Sequence, residues 1–197
     1  MKTVPPTAEG IEEAAALIRK GEVVAYPTET VYGLAVDPFS EASIQKLFSV
    51  KGRAEANPVL LIAANREQVD RLVASVSERA RECMDRFWPG PLSLVLPKSE
   101  SVHPLLCANG PKICLRIPSC DTARALCLAV GHAITSTSAN RSGAPAPNTA
   151  ASIDLPGVAL CVDGGLLPPS LPSTVFDPDA GVIYRAGAIS EEMLLAR

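Results

Sequence analysis

A chain of 197 residues, 47% of them hydrophobic and 20% charged, is long enough to bury a substantial core and too apolar to remain disordered. A net charge of −3 and an aromatic content of 4% give no general attraction for polyanions and few platforms for stacked bases, so any RNA contact must be local. No apolar run approaches the roughly 18 residues of a membrane-spanning helix, and Met1-Lys2-Thr3 opens no secretory signal, so a soluble cytoplasmic protein forming a single domain over residues 1–197 is expected.

In chain order, Ala8 to Lys20 reads as a helix with Ile11, Ala14, Ala15 and Ile18 on one face, Thr7 at its cap and Gly21 at its end. Its early glutamates and late Arg19 and Lys20 suit the helix dipole. A strand follows at Glu22 to Tyr26. It breaks into Pro27-Thr28-Glu29-Thr30-Val31-Tyr32-Gly33-Leu34, where hydroxyls and a carboxylate cluster at a buried strand's end, a place that usually faces a ligand. The helix opening near Ser40 carries Ile44, Leu47 and Phe48 on one stripe, sets Lys51 along the same face one turn on, and stops at Gly52. Val59 to Ala63 reads as a buried strand, and Asn65 with Gln68 as a capping box that starts a further helix.

A helix near Glu78 to Phe87, the breaker Trp88-Pro89-Gly90-Pro91 and strands at Leu92 to Leu96 and Lys112 to Ile117 continue the alternation. Ala123, Leu126, Cys127 and Val130 then mark a helix before Gly131, and Ala133 to Thr137 a strand. The loop Arg141 to Thr149 is too polar and proline-rich for a core and reads as a rim or mobile lid. Late strands are expected at Val158 to Val162, Ser173 to Phe176 and Val182 to Arg185. Strands and helices alternate without an internal repeat, which predicts an α/β fold: a single domain built on a mixed sheet with flanking helices.

Chemistry narrows partly by exclusion. The sequence has no P-loop, no G-x-G-x-x-G, no H-E-x-x-H and no G-x-S-x-G, and its two histidines, His103 and His132, leave little room for histidine-based catalysis. His132, at a helix end, reads as structural. The six cysteines form no C-x-x-C pair and sit among apolar neighbours, so reduced core thiols are expected rather than disulfides or zinc ligands. Lys51-Gly52-Arg53 and Ser136-Thr137-Ser138-Ala139-Asn140 remain, together with the threonines after the first strand. Cations and hydroxyls beside apolar strands suit an anionic ligand and a phosphoryl or nucleotidyl transfer, which asks mainly for alignment and charge neutralisation.

The segments Pro27 to Leu34, Lys51-Gly52-Arg53, Asn57-Pro58, Trp88 to Pro91, Arg116-Ile117-Pro118, Ser136 to Gly143 and Pro172-Ser173-Thr174-Val175, in this order over nearly the whole chain, resemble the YrdC/TsaC family of threonylcarbamoyl-AMP synthases. The resemblance implies a twisted mixed sheet around a large concave cleft. It also implies condensation of L-threonine, bicarbonate and ATP into threonylcarbamoyl-AMP with release of pyrophosphate, supplying the N6-threonylcarbamoyladenosine at position 37 of tRNA. Carried over by position, Lys51 and Arg53 are the basic pair at the ATP phosphates and the residues expected to carry catalysis. Asn57, Ser138, Asn140 and Arg185 line the nucleotide site, and Thr30, Arg116, Ser136 and Ser173 hold threonine. Mg²⁺ is expected on the ATP phosphates, with Glu29 the nearest carboxylate to influence it and no protein metal ligand named.

Proteins that transfer the threonylcarbamoyl group onward are the implied partners, with weak tRNA contact and no membrane. Where some members carry a histidine contact, this sequence has Ile62, so that contact does not transfer. The sequence runs only a little beyond Ala186-Gly187-Ala188, so no extra C-terminal domain such as longer relatives carry is expected, and the Arg141 to Thr149 loop is the candidate to close over the nucleotide. Two alternatives share the scaffold: an RNA-binding module acting on tRNA or ribosomal RNA, and a carbamoyl-adenylate-forming relative.

Overall fold

The computed structural model describes residues 1–52 and 58–195; Arg53 and Asn57 therefore lie outside the described residues. In chain order the elements are β1 (Lys2–Val4), α1 (Ala8–Arg19), β2 (Val23–Pro27), β3 (Tyr32–Ala35), α2 (Glu41–Lys51), β4 (Leu60–Ile62), α3 (Arg66–Asp70), α4 (Glu78–Phe87), β5 (Leu92–Pro97), β6 (Lys112–Arg116), α5 (Asp121–Val130), β7 (Ile134–Thr135), β8 (Thr137–Ser138), β9 (Val158–Val162), β10 (Thr174–Asp177), β11 (Val182–Arg185) and α6 (Glu191–Leu195). Short 3₁₀ turns stand at Pro104–Cys107 and Ala150–Ser152.

The fold is the mixed α/β class predicted, with its strands divided between two mixed sheets. One has the order β1-β9-β2-β3-β8 and the other β11-β10-β5-β6-β4-β7. β2 explains the continuous apolar run that opens the first sheet: Val23 and Ala25 enter one apolar cluster, Val24 and Tyr26 the other, so both faces are covered. On one face α1 and α5 meet that sheet through Ala14, Ala15, Ile18, Ala123, Leu126 and Cys127. On the other, Tyr32 and Leu34 join Leu61, Leu92, Leu94 and Leu115 of the second sheet and Ile44, Leu47 and Phe48 of α2. Each fully buried Leu, Ile or Val contributes about 1.5–3 kcal/mol.

Caps fix where these helices start and stop. Thr7 Oγ1 accepts from Gly10 N at 3.3 Å, and Ser77 Oγ accepts from Ala80 N at 3.2 Å. α2 ends on Gly52 in the left-handed region (φ 57°) and α5 on Gly131 (φ 95°). Asn65 Oδ1 accepts from Gln68 N at 3.0 Å, but Gln68 Oε1 accepts from Ala64 N rather than Asn65 N, so the expected box closes one residue early. The helix it starts runs only from Arg66 to Asp70.

The segment Ala133 to Thr137, expected as one strand, is two. Ile134–Thr135 pairs with β4 in the second sheet, and Thr137–Ser138 pairs with β3 in the first. Ser136 N donates to Leu60 O at 2.7 Å and marks the crossing point. β1, β3 and α6 were not foreseen, being too short for a periodic signal or, for β3, masked by its turn-like composition. All six cysteines are free; Cys83, Cys107, Cys127 and Cys161 are buried, and burial pushes the Cys161 thiol up to about 12. Among the described residues no helix is long and apolar enough to cross a membrane.

Candidate active site

A cleft of about 1060 Å³ is lined by both sheets. The two-residue period of β6 supplies one wall: Lys112, Cys114 and Arg116 line the cleft while Ile113 and Leu115 point into the core. β10 repeats the pattern, with Val175 and Asp177 on the cleft and Phe176 buried behind. The first sheet contributes Thr28, Thr30 and Gly33 around the β2–β3 turn and Ser138 from β8, and Ser136 lines the cleft where the chain changes sheets. Every predicted site residue among Thr30, Arg116, Ser136, Ser138, Asn140, Ser173 and Arg185 lies on this cleft.

Arg116, at the end of β6, is buried, and its Nη1 donates to Glu29 Oε1 at 2.9 Å. Its Nε and the other glutamate oxygen, Oε2, are buried without a hydrogen-bond partner. Thr28 organises the turn that presents Glu29: its Oγ1 accepts from the backbone N–H of Thr30 and of Val31, both at 3.2 Å, and donates to Val31 O at 2.7 Å. The Thr30 hydroxyl lies 3.0 Å from that of Thr28.

Ser173 and Arg185, assigned by resemblance to different substrates, are directly joined. Arg185 Nη2 donates to Ser173 Oγ and to Ser173 O, both at 2.8 Å, and Ser173 Oγ is 2.9 Å from Ser93 Oγ. Burial lowers the Arg185 pKa, and the neighbouring Arg116 acts in the same direction. Lys51 does not line the cleft. The stripe that buries Ile44, Leu47 and Phe48 carries it inward, and its Nζ donates to Ser138 O, to Asn140 O at 3.0 Å and to Asn140 Oδ1 at 3.4 Å. It thus fastens the end of α2 to the Ser138–Asn140 segment.

Three lining groups escaped the sequence reading. Lys112 Nζ donates to Asp177 Oδ2 at 2.5 Å, and Asp177 Oδ1 accepts from the backbone N–H of Asp179 and Ala180. Desolvation works against the Asp177 carboxylate, but Lys112 and these N–H groups outweigh it and hold its pKa below the usual range. Tyr184, on β11, is an exposed aromatic ring beside Arg185. Alternation along Lys112 to Arg116 would have placed Lys112 and Cys114 beside Arg116 in advance. Ile62 is fully buried in the cluster under α5, away from the cleft. His132, read as structural, sits with Nδ1 2.8 Å from Ala133 O and its ring edge-on to Phe39.

The loop Arg141 to Thr149 forms a rim, with Ala144 and Ala146 lining the cleft and Pro147 O accepting from Tyr32 N at 3.1 Å. Glu29 is engaged by Arg116 and Asp177 by Lys112, and among the described residues no three His, Cys, Asp or Glu side chains gather as a metal site.

A mixed α/β scaffold whose two sheets carry arginines and hydroxyls to one cleft defines the class. Residues 16–187 match the Sua5/YciO/YrdC family, described as "Telomere recombination", and the chain belongs to it. The threonylcarbamoyl-AMP synthase of Bacillus subtilis is 39% identical over 192 residues, covering 94% of this chain and 56% of the relative. That of Thiobacillus denitrificans is 38% identical over 173 residues, covering 87% of this chain and 92% of the relative. Pyrococcus abyssi Sua5, solved in complex with L-threonine, superimposes with a TM-score of 0.92 at 35% identity, over 98% of this chain and 60% of that one. The chain thus spans little more than half the length of the Bacillus and Pyrococcus relatives.

Proposed function

We propose that the protein is an L-threonylcarbamoyladenylate synthase, a nucleotidyltransferase that converts L-threonine, bicarbonate and ATP into threonylcarbamoyl-AMP and pyrophosphate for the threonylcarbamoylation of tRNA. The observation that carries this reading is that a buried arginine, three hydroxyls and the Lys51-fastened Ser138–Asn140 segment, all distant in sequence, share one cleft with room for a nucleotide and an amino acid.

In this reading the Arg116 guanidinium meets the threonine carboxylate, and Thr30, Ser136 and Ser173 surround the rest of the amino acid. Their hydroxyls would discriminate against a side chain without an oxygen, because the site's own polar groups would lose partners. The threonine nitrogen forms a carbamate with bicarbonate as water leaves. A carbamate oxygen then attacks the α-phosphorus of ATP as the bond to pyrophosphate breaks. The protein's part is alignment and charge neutralisation: Ser138, Asn140 and Arg185, with Asn57, hold the nucleotide, Arg53 offsets the phosphate charge, and Lys51 acts from behind the cleft wall by holding the Ser138–Asn140 segment and adding its positive field. Magnesium is taken to travel with the ATP phosphates.

The whole chain acts as one domain in the cytoplasm, with Arg141 to Thr149 closing over the nucleotide. Its product passes to proteins that transfer the threonylcarbamoyl group, and contact with tRNA is weak. The reading is tested by pyrophosphate release from ATP. Release that requires both threonine and bicarbonate is expected; release indifferent to threonine, or none with all three substrates, overturns it.

A further inference from the structure

We infer that Glu29 makes the carboxylate pocket selective for an α-amino acid over the same acid lacking its amine; the inference rests on the proposed threonine site. An unpaired arginine at the end of β6 would attract any carboxylate. Here Arg116, 2% exposed, is already matched in charge by Glu29 at 2.9 Å, itself mostly shielded from water; Arg116 lines the cleft, and Glu29 stands in the chain between Thr28 and Thr30, which line it too.

The pair is incompletely satisfied, since Arg116 Nε and Glu29 Oε2 are buried without partners. A buried polar group left in this state is costly, and a ligand or a small rearrangement on ligand binding that gives each atom a partner recovers that cost. A ligand that brings only a carboxylate competes with Glu29 for the guanidinium and gives the Glu29 carboxylate no cation in return. An α-amino acid brings its own cation beside its carboxylate, a partner for Glu29 in place of the shared guanidinium, whereas Arg185, beside Arg116, favours either ligand's carboxylate alike. Glu29 touches Arg116 and acts through it and through its own field, so its role is in positioning and selection. That role is separate from the influence on magnesium expected from sequence.

The test is calorimetric binding of L-threonine and of 2,3-dihydroxybutanoate, in which a hydroxyl replaces the amine, to the full chain. The wild type is expected to prefer threonine by at least about tenfold, the worth of one partly shielded ion pair. Glu29→Gln, which keeps an oxygen for Arg116 but not the charge, should narrow that preference by a similar factor, and Glu29→Asp should retain most of it. Equal binding of the two ligands by the wild type overturns the inference without need of any variant. So does a preference unchanged in Glu29→Gln. Absence of threonine binding by the wild type would remove the threonine site and this inference together, whereas tight threonine binding with no discrimination removes the inference alone.

Discussion

Arg116 shows how one position can carry most of a site's consequence. It ends a strand whose alternate residues are core, so the backbone holds its guanidinium at the cleft without depending on a loop. Arg116→Lys keeps the charge but loses the planar fork, and threonine affinity should fall at least about tenfold; Arg116→Ala should cost about a hundredfold. Titration calorimetry with threonine alone reads both. Asp177 yields a prediction in pH. Its folded pKa is held below the ordinary carboxylate value, so the stabilisation is fully present above that ordinary value and disappears as pH falls through the lowered one. The Lys112 pKa is raised, mainly by its hydrogen bond to Asp177, so its share persists through neutral pH and is lost only above the ordinary lysine range. Asp177→Asn should therefore lower stability by about 2 kcal/mol at neutral pH, with the difference from wild type vanishing in strong acid. Urea unfolding across pH checks the sign; a deficit that grows on acidification contradicts it.

At the scale of elements, most of the fold was legible. The stripes Ile44-Leu47-Phe48 and Ala123-Leu126-Cys127-Val130 are buried as their spacing predicts, and Gly52 and Gly131 end their helices in the left-handed conformation expected of such stops. Gly52→Ala should cost about 1 kcal/mol for that φ, since among the described residues no neighbour crowds the position. What was hidden is pairing. Nothing in Ala133 to Thr137 announces that the chain leaves one sheet and enters the other, because partner choice depends on residues far away in sequence. The bond from Ser136 N to Leu60 O is made across such a distance. The Arg116–Glu29 and Lys112–Asp177 pairs were hidden for the same reason. Gly187 gives a sharper local test: a Cβ there would lie 2.2 Å from Pro172 O and 2.6 Å from Thr174 N. Gly187→Ala should push the chain away from Ser173, destabilise by about 2 kcal/mol and weaken threonine binding beyond the global loss. A urea midpoint and a threonine titration on the same protein separate the two effects.

Across the whole molecule, the split into two sheets is what brings the segments together. One sheet offers the β2–β3 turn and β8, the other offers β6, β10 and β11, and the cleft is their shared boundary. Sequence gave the seven described lining residues by resemblance, but not that Lys51 lies behind the cleft wall, because only the packing of α2 shows which way its ammonium turns. If the Arg141 to Thr149 rim closes over substrates, ATP with threonine should protect it from proteolysis, and unchanged cleavage there would discard the lid. The most direct test of the central claim, that one cleft joins a triphosphate to an amino acid, is mass spectrometry of the product formed from ¹³C-bicarbonate, L-threonine and ATP. The account predicts a labelled mixed anhydride of threonine carbamate and AMP, lost in Arg116→Ala; formation of AMP without label, or of the anhydride undiminished in that variant, would contradict it.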